Sequence, residues 1–172
     1  MLRSKRIEIA PKFSVLFVCM GNICRSPTAE AVFRTRAEHA DIARHLYIDS
    51  AGTGDWHVGE PPDRRAIAAA KKRGYDLAPL RGRQVSTQDF ERFGWVFAMD
   101  DDNLRGLEAL RPPGYTGHLG LFLDLLAHPD LREVPDPYYG GPQGFEHVLD
   151  LIERASDALI ARLRNDIALA QS

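Results

Sequence analysis

Apolar residues in this chain come in short unbroken runs that alternate with stretches of helical spacing. The first run, Val15-Leu16-Phe17-Val18, is bounded by turn signals and predicts a buried strand over 13–18. Ser26 then suits an N-cap and Pro27 the first helical position. Ala29, Val32, Phe33, Ala37 and Ala40 recur at helical spacing, so a helix is expected to about His39. Residues 46–50 and 95–100 read as the second and third strands, and 118–121 as a short fourth. Between them lie a helix over about 62–73 ended by Gly74, a short helix opening at Asp89-Phe90, and a helix over 101–110. The acidic first turn of the last suits the helix dipole. Pro112-Pro113-Gly114 stops that helix, and Leu123 to His128 predict a helical turn. A loop rich in Pro, Gly and Tyr covers 135–142. Phe145, Val148, Leu149, Ile152, Ala155, Leu159 and Leu163 then mark a long closing helix.

Strands alternating with helices predict an α/β fold, a three-layer α/β/α sandwich around a central four-stranded parallel sheet. The expected organisation is a short, partly disordered arm over 1–12, one domain over 13–165 and a tail over 166–172. A chain of 172 residues can bury a proper core. Its net charge of −2 argues against a general nucleic-acid binder, and no apolar run approaches a membrane span. The N-terminal MLRSKRIEIAPK lacks the apolar stretch of a secretory leader, which makes a cytoplasmic location the expectation. Two cysteines five apart do not make a disulfide framework, and the six histidines show no ligand spacing. No metal or other cofactor is expected.

The candidate chemistry lies where the first strand meets the first helix. Cys19 closes the strand, and Met20, Gly21, Asn22, Ile23 and Cys24 lead to Arg25 and Ser26. Gly21 lets the backbone turn, and Asn22 tolerates a left-handed conformation. A loop wrapped this way points its amide N–H groups at one spot, which the N-terminus of the helix also faces. The Arg25 guanidinium can hold two oxygens of a phosphate side by side. Such a positive field favours a thiolate over a thiol, and a thiolate beneath a phosphoryl group is a nucleophile. Far along the chain, Asp136 stands between Pro135 and Pro137, which restrict the backbone around its carboxyl. Gly52 and Gly54 resemble the start of a dinucleotide fingerprint, but the third glycine is missing and His57 stands in its place.

The stretch VCMGNICRSPTAEAVF resembles the phosphate-binding loop of low-molecular-weight protein tyrosine phosphatases. The family signature C-x5-R-S is met by Cys19, Arg25 and Ser26, and a second, Asp-Pro-Tyr, by Asp136-Pro137-Tyr138. A third family pattern, G-x-P-x-D-x-R, is supplied by Gly59, Pro61, Asp63 and Arg65. The resemblance runs from about Phe13 to about Leu163. It implies a phosphotyrosine phosphatase working through a cysteinyl-phosphate, with Cys19 as nucleophile, Arg25 as phosphate clamp and Asp136 as general acid and base. It further implies that residues 20–26 bind the phosphate and that Ser26 hydrogen-bonds the Cys19 sulfur. By the same likeness, Trp56, Tyr138 and Tyr139 wall the substrate cleft, and Cys24 pairs reversibly with the nucleophile under oxidation. The implied partner is a phosphotyrosine-containing protein; in bacteria such enzymes oppose a tyrosine kinase in polysaccharide export or are secreted to act on a host. A monomer or weak dimer is expected. One departure stands out: the family ties its loop asparagine to a histidine at the position that here holds Leu80, which points to another partner for Asn22, such as Ser50. An arsenate reductase on the same scaffold and a non-catalytic phosphate-binding module remain as alternatives, while a P-loop nucleotide enzyme is excluded because the chain has no G-x4-G-K-[ST].

Overall fold

The computed structural model describes residues 9–172. Four strands, β1 (Ser14–Cys19), β2 (Tyr47–Gly52), β3 (Trp95–Ala98) and β4 (His118–Leu121), form one parallel sheet in the order β2-β1-β3-β4. Five helices complete the fold: α1 (Arg25–His39), α2 (Arg64–Lys72), α3 (Asp89–Arg92), α4 (Asp101–Leu110) and α5 (Pro142–Ala170). The predicted turn near Leu123 is a 3-10 helix over Phe122–Leu126. Every residue of β1 is buried, as expected of a central strand with both faces covered. Val15, Phe17 and Cys19 belong to the core packed against α1 and α5, where Phe17 meets Phe33, Phe97 and Phe122. Leu16 and Val18 point the other way, into a smaller core with Val96, Ala98 and Leu107. Among the described residues, no helix is long and apolar enough to cross a membrane.

The chain runs from β1 outward to β2, then returns to place β3 on the other side of β1. The strand order therefore reverses beside β1, and open parallel sheets bind ligands at the carboxyl ends flanking such a reversal. Cys19 is the last residue of β1, and Asp100 follows the end of the neighbouring β3.

Several boundaries differ from the sequence reading. Ser26 does not cap α1: Cys24 occupies the cap position, the helix opens at Arg25, and the Ser26 hydroxyl is drawn to the Cys19 sulfur instead. The caps that do form are Asp63, which accepts from Arg65 N at 2.8 Å, and Asp100, which accepts from Asn103 N at 2.8 Å. The expected tail over 166–172 is mostly the last turn of α5, because Ile167 adds one more buried contact to the apolar face. Of the expected arm, residues 1–8 lie outside the described residues. Its end is pinned to β3: Gly94 N donates to Pro11 O at 2.8 Å and Trp95 Nε1 to Lys12 O at 2.9 Å.

Candidate active site

The loop after β1 is held open from both sides. Thr53 N donates to Cys19 O and Gly54 N to Met20 O, each at 2.9 Å, and Asp63 N donates to Ile23 O at 2.8 Å. Gly52 lies so close beneath it that a β-carbon would stand 2.7 Å from Met20 O. The left-handed turn falls on Asn22, with φ of 55°, as the sequence predicts. Gly21 serves another purpose: a β-carbon there would meet the His57 ring at 3.1 Å.

Asn22 is buried, and its side chain accounts for the curve of the loop. Its Nδ2 donates to Ser26 Oγ at 2.8 Å and Ser50 Oγ at 3.1 Å, while its Oδ1 accepts from Arg83 N at 3.0 Å. Ser50 is thus the expected partner, and Leu80 packs against the apolar core. Ser26 Oγ stands 3.0 Å from Cys19 Sγ, within hydrogen-bond reach.

Arg25 is buried at the start of α1. Its Nη1 donates to Asp100 Oδ2 at 2.6 Å and Val134 O at 3.1 Å, and its Nη2 lies 3.7 Å from Asp136 Oδ2. Burial works against its charge, but Cys19, Asp100 and Asp136 outweigh that and raise its affinity for the proton, so it is a fixed cation. Cys24 is also buried, and desolvation, helped by Asp63, Cys19 and Asp136, pushes its thiol up to about 12.

These groups surround a cavity of about 330 Å³. Its floor is Cys19, Arg25 and the loop residues Met20, Gly21, Ile23 and Cys24. Its lining is completed by Trp56 and His57 from the segment after β2 and by a wall of Asp136, Tyr138 and Tyr139 from the segment before α5. The tyrosine rings meet edge to face at 4.9 Å, and Tyr138 N donates to Asp136 Oδ1 at 3.0 Å, which ties the carboxyl to the aromatic wall. Arg65 latches this wall to α2: its Nη2 donates to Tyr138 O at 2.9 Å, and its guanidinium lies over the rings of Tyr138 and Phe145. Asn22 and Ser26, both expected to bind phosphate, are not among the residues lining the cavity: the Ser26 hydroxyl faces the Cys19 sulfur, and the Asn22 side chain holds Ser26 and Ser50.

Two residues of the site escape the sequence reading. Asp100 looks there like the end of a strand, and only the pairing of β1 with β3 brings it to Arg25. His57 is set aside for lack of a metal-ligand partner. Its neighbour three residues on, Glu60, is the missed signal, since Glu60 Oε2 lies 2.6 Å from His57 Nδ1 and fixes the ring at the cavity edge.

A parallel α/β sheet with a cysteine and an arginine in one loop at the carboxyl end of a strand, lining a cavity together with an aspartate, is the arrangement of a cysteine-dependent phosphatase. The family model of low molecular weight phosphotyrosine protein phosphatase matches residues 14–169. The chain is 44% identical to the low molecular weight protein-tyrosine-phosphatase of Streptomyces coelicolor over 159 residues, covering 90% of this chain and 96% of that one. It is 40% identical to YfkJ of Bacillus subtilis over 89% of this chain and 97% of that one. A crystal structure of the protein tyrosine phosphatase of Entamoeba histolytica, with Hepes in its active site, superimposes with a TM-score of 0.84 at 40% identity, covering 89% of this chain and 97% of that one. The chain belongs to the low molecular weight protein-tyrosine-phosphatase family.

Proposed function

We propose that this phosphatase hydrolyses phosphotyrosine in two steps, with Cys19, Arg25 and Asp136 as the reacting constellation. The observation that carries the reading is their convergence on one cavity, with Asp136 Oδ2 3.7 Å from Arg25 Nη2. In the first step the Cys19 thiolate attacks phosphorus, the S–P bond forms, the P–O bond to the tyrosyl ring breaks, and Asp136 gives its proton to the departing oxygen. In the second, water attacks phosphorus and gives a proton to Asp136, and the S–P bond breaks to return the thiolate. Arg25 and the loop amides stabilise the equatorial oxygens throughout. Ser26, 3.0 Å from the sulfur, donates to the thiolate as it leaves. Trp56, Tyr138 and Tyr139 offer apolar faces to an aryl ring. The partner in this reading is a phosphotyrosine-bearing protein such as a bacterial tyrosine kinase. An arsenate reductase would need further cysteines to pass on oxidising equivalents, and the chain holds only Cys19 and Cys24.

The test is rapid-mixing hydrolysis of p-nitrophenyl phosphate with a chelator present. A burst of nitrophenol in wild type, abolished in Cys19→Ser, with slowed turnover in Asp136→Asn, is the expected result. Phosphate binding without turnover by wild type would favour the non-catalytic module.

A further inference from the structure

Glu30 is a buried acid that the proposed mechanism leaves unused. Glu30, in the second turn of α1, is 4% exposed. Its Oε1 accepts from Ser50 Oγ at 2.7 Å, and its Oε2 accepts from Arg34 Nη2 at 2.9 Å. Arg34 is itself held by Ile48 O at 3.0 Å. Burial raises the Glu30 carboxyl above the ordinary glutamate value, while the hydrogen bonds from Ser50 and Arg34 favour the carboxylate.

The hydrogens along the path from Glu30 to Cys19 can be assigned one by one. A serine hydroxyl has a single hydrogen. That of Ser50 goes to the Glu30 carboxylate, so Ser50 can only accept from Asn22 Nδ2. Arg83 N, which can only donate, fixes Oδ1 as the acceptor of the Asn22 amide, and the second Nδ2 hydrogen goes to Ser26 Oγ. Ser26, now an acceptor from Asn22, keeps its own hydrogen for Cys19 Sγ at 3.0 Å in preference to Ala51 O at 3.3 Å. As the acceptor at the far end, Glu30 keeps the Ser50 hydrogen turned away from Asn22 Nδ2 and so leaves Ser50 free to hold the amide in place. A protonated Glu30 would bring a competing donor to Ser50.

We propose that Glu30 is a positioning residue for breakdown of the cysteinyl-phosphate, acting through Ser50, Asn22 and Ser26 to aim a hydrogen bond at the departing Cys19 thiolate. This rests on the two-step reading given above. Glu30 touches neither substrate nor reacting atoms. Its effect is therefore expected at about tenfold, below the ~10²-fold that follows removal of a donor to the reacting atoms themselves.

The experiment is stopped-flow and steady-state hydrolysis of p-nitrophenyl phosphate by Glu30→Gln, Ser50→Ala, Ser26→Ala and the Glu30→Gln/Ser26→Ala double variant, with thermal melts alongside. Slower breakdown with unchanged attack lowers kcat and KM together, by about tenfold, and leaves kcat/KM within about twofold. The double variant should lose no more than Ser26→Ala alone, because both act on one hydrogen bond. Ser50→Ala leaves the Glu30–Arg34 pair intact, so it carries the same expectation if Glu30→Gln does not fold. A merely structural Glu30 would lower the melting temperature and leave the kinetics alone, which would overturn the proposal. A fall in kcat/KM as large as that in kcat, or a Glu30→Gln loss that adds in full to that of Ser26→Ala, would overturn it too. A wild type with no burst would overturn the two-step reading instead, and is seen before any variant is compared.

Discussion

Asp100 Oδ2 accepts a hydrogen bond from Arg25 Nη1 at 2.6 Å, across the 75 residues that separate them in the chain. The same carboxyl caps α4 through its other oxygen, which accepts from Asn103 N at 2.8 Å. One side chain thus holds the plane of the guanidinium and the start of a helix. Asp100→Ala should lower kcat/KM by about 10²-fold, the scale of an ångström-level displacement at a reacting centre. It should also lower stability by about 2–3 kcal/mol, somewhat under the figure for a fully buried pair because Asp100 retains some exposure. Asp100→Asn keeps an oxygen for the cap and should recover about 1 kcal/mol of that stability but little of the activity. Steady-state kinetics and urea unfolding of both variants separate the two duties.

The aromatic rim answers a different question, that of affinity. Trp56 and Tyr139 are strongly exposed, at 67% and 91%, so neither holds the fold together. Each lines the cavity mouth. Trp56→Ala and Tyr139→Ala should raise KM for a phosphotyrosine peptide by about fivefold each, corresponding to ~1 kcal/mol of lost ring contact, with little change in kcat or melting temperature. A fall in kcat at constant KM would show that they align the reacting bond and do not simply hold the ring.

Cys24 and Cys19 share the loop, but burial has pushed the Cys24 thiol up to about 12. At neutral pH it is a thiol and a poor nucleophile. Iodoacetate at neutral pH should therefore add a single carboxymethyl group, at Cys19, which peptide mass spectrometry can locate. Under mild peroxide, oxidation of Cys19 to a sulfenic acid followed by attack of Cys24 sulfur would release water and close a disulfide. Activity of the wild type should then return with dithiothreitol, whereas Cys24→Ser should recover only a minor fraction.

The sequence reads well where the chemistry is local. Cys19 through Ser26 form one continuous segment, so the order strand, loop, arginine, helix already implies an anion cradle, and the strand order places it at a ligand-binding edge. It reads poorly where partners meet only through tertiary structure. Asp100 meets Arg25 because β3 pairs with β1, and Glu30 meets Ser50 because β2 passes beneath α1. Local propensity also misassigned Ser26: a serine before a proline is a good cap, but an acceptor sulfur 3.0 Å away competes for its hydroxyl. The end of α5 was missed for a similar reason, since Asn165 and Asp166 interrupt the apolar pattern just before Ile167 resumes it.

A charged cluster on α5 joins α5 to α1 and to the end of α2. Glu153 on α5 gathers Arg36 from α1 at 2.6 Å, Arg73 from the end of α2, and the Tyr75 hydroxyl at 2.7 Å. Arg73 also reaches Glu146 at 2.6 Å and Asp150 at 2.9 Å, so one cluster ties three helices together. Burial works to raise the Glu153 carboxyl, but hydrogen bonds from Tyr75, Arg36 and Arg73 outweigh it and hold the carboxyl below the ordinary glutamate value. A carboxyl depressed in the folded state binds fewer protons there than in the unfolded chain. Its contribution is therefore fully present above the unfolded value of about 4.3 and is lost as pH falls through the lower folded value. Glu153→Gln keeps the shape and removes the charge. The stability gap between wild type and this variant should be constant from neutral pH down to about 5 and shrink progressively below about 4. Urea unfolding across that range reads the gap directly, and a gap that does not change with pH would mean that shape, and not charge, holds the three helices.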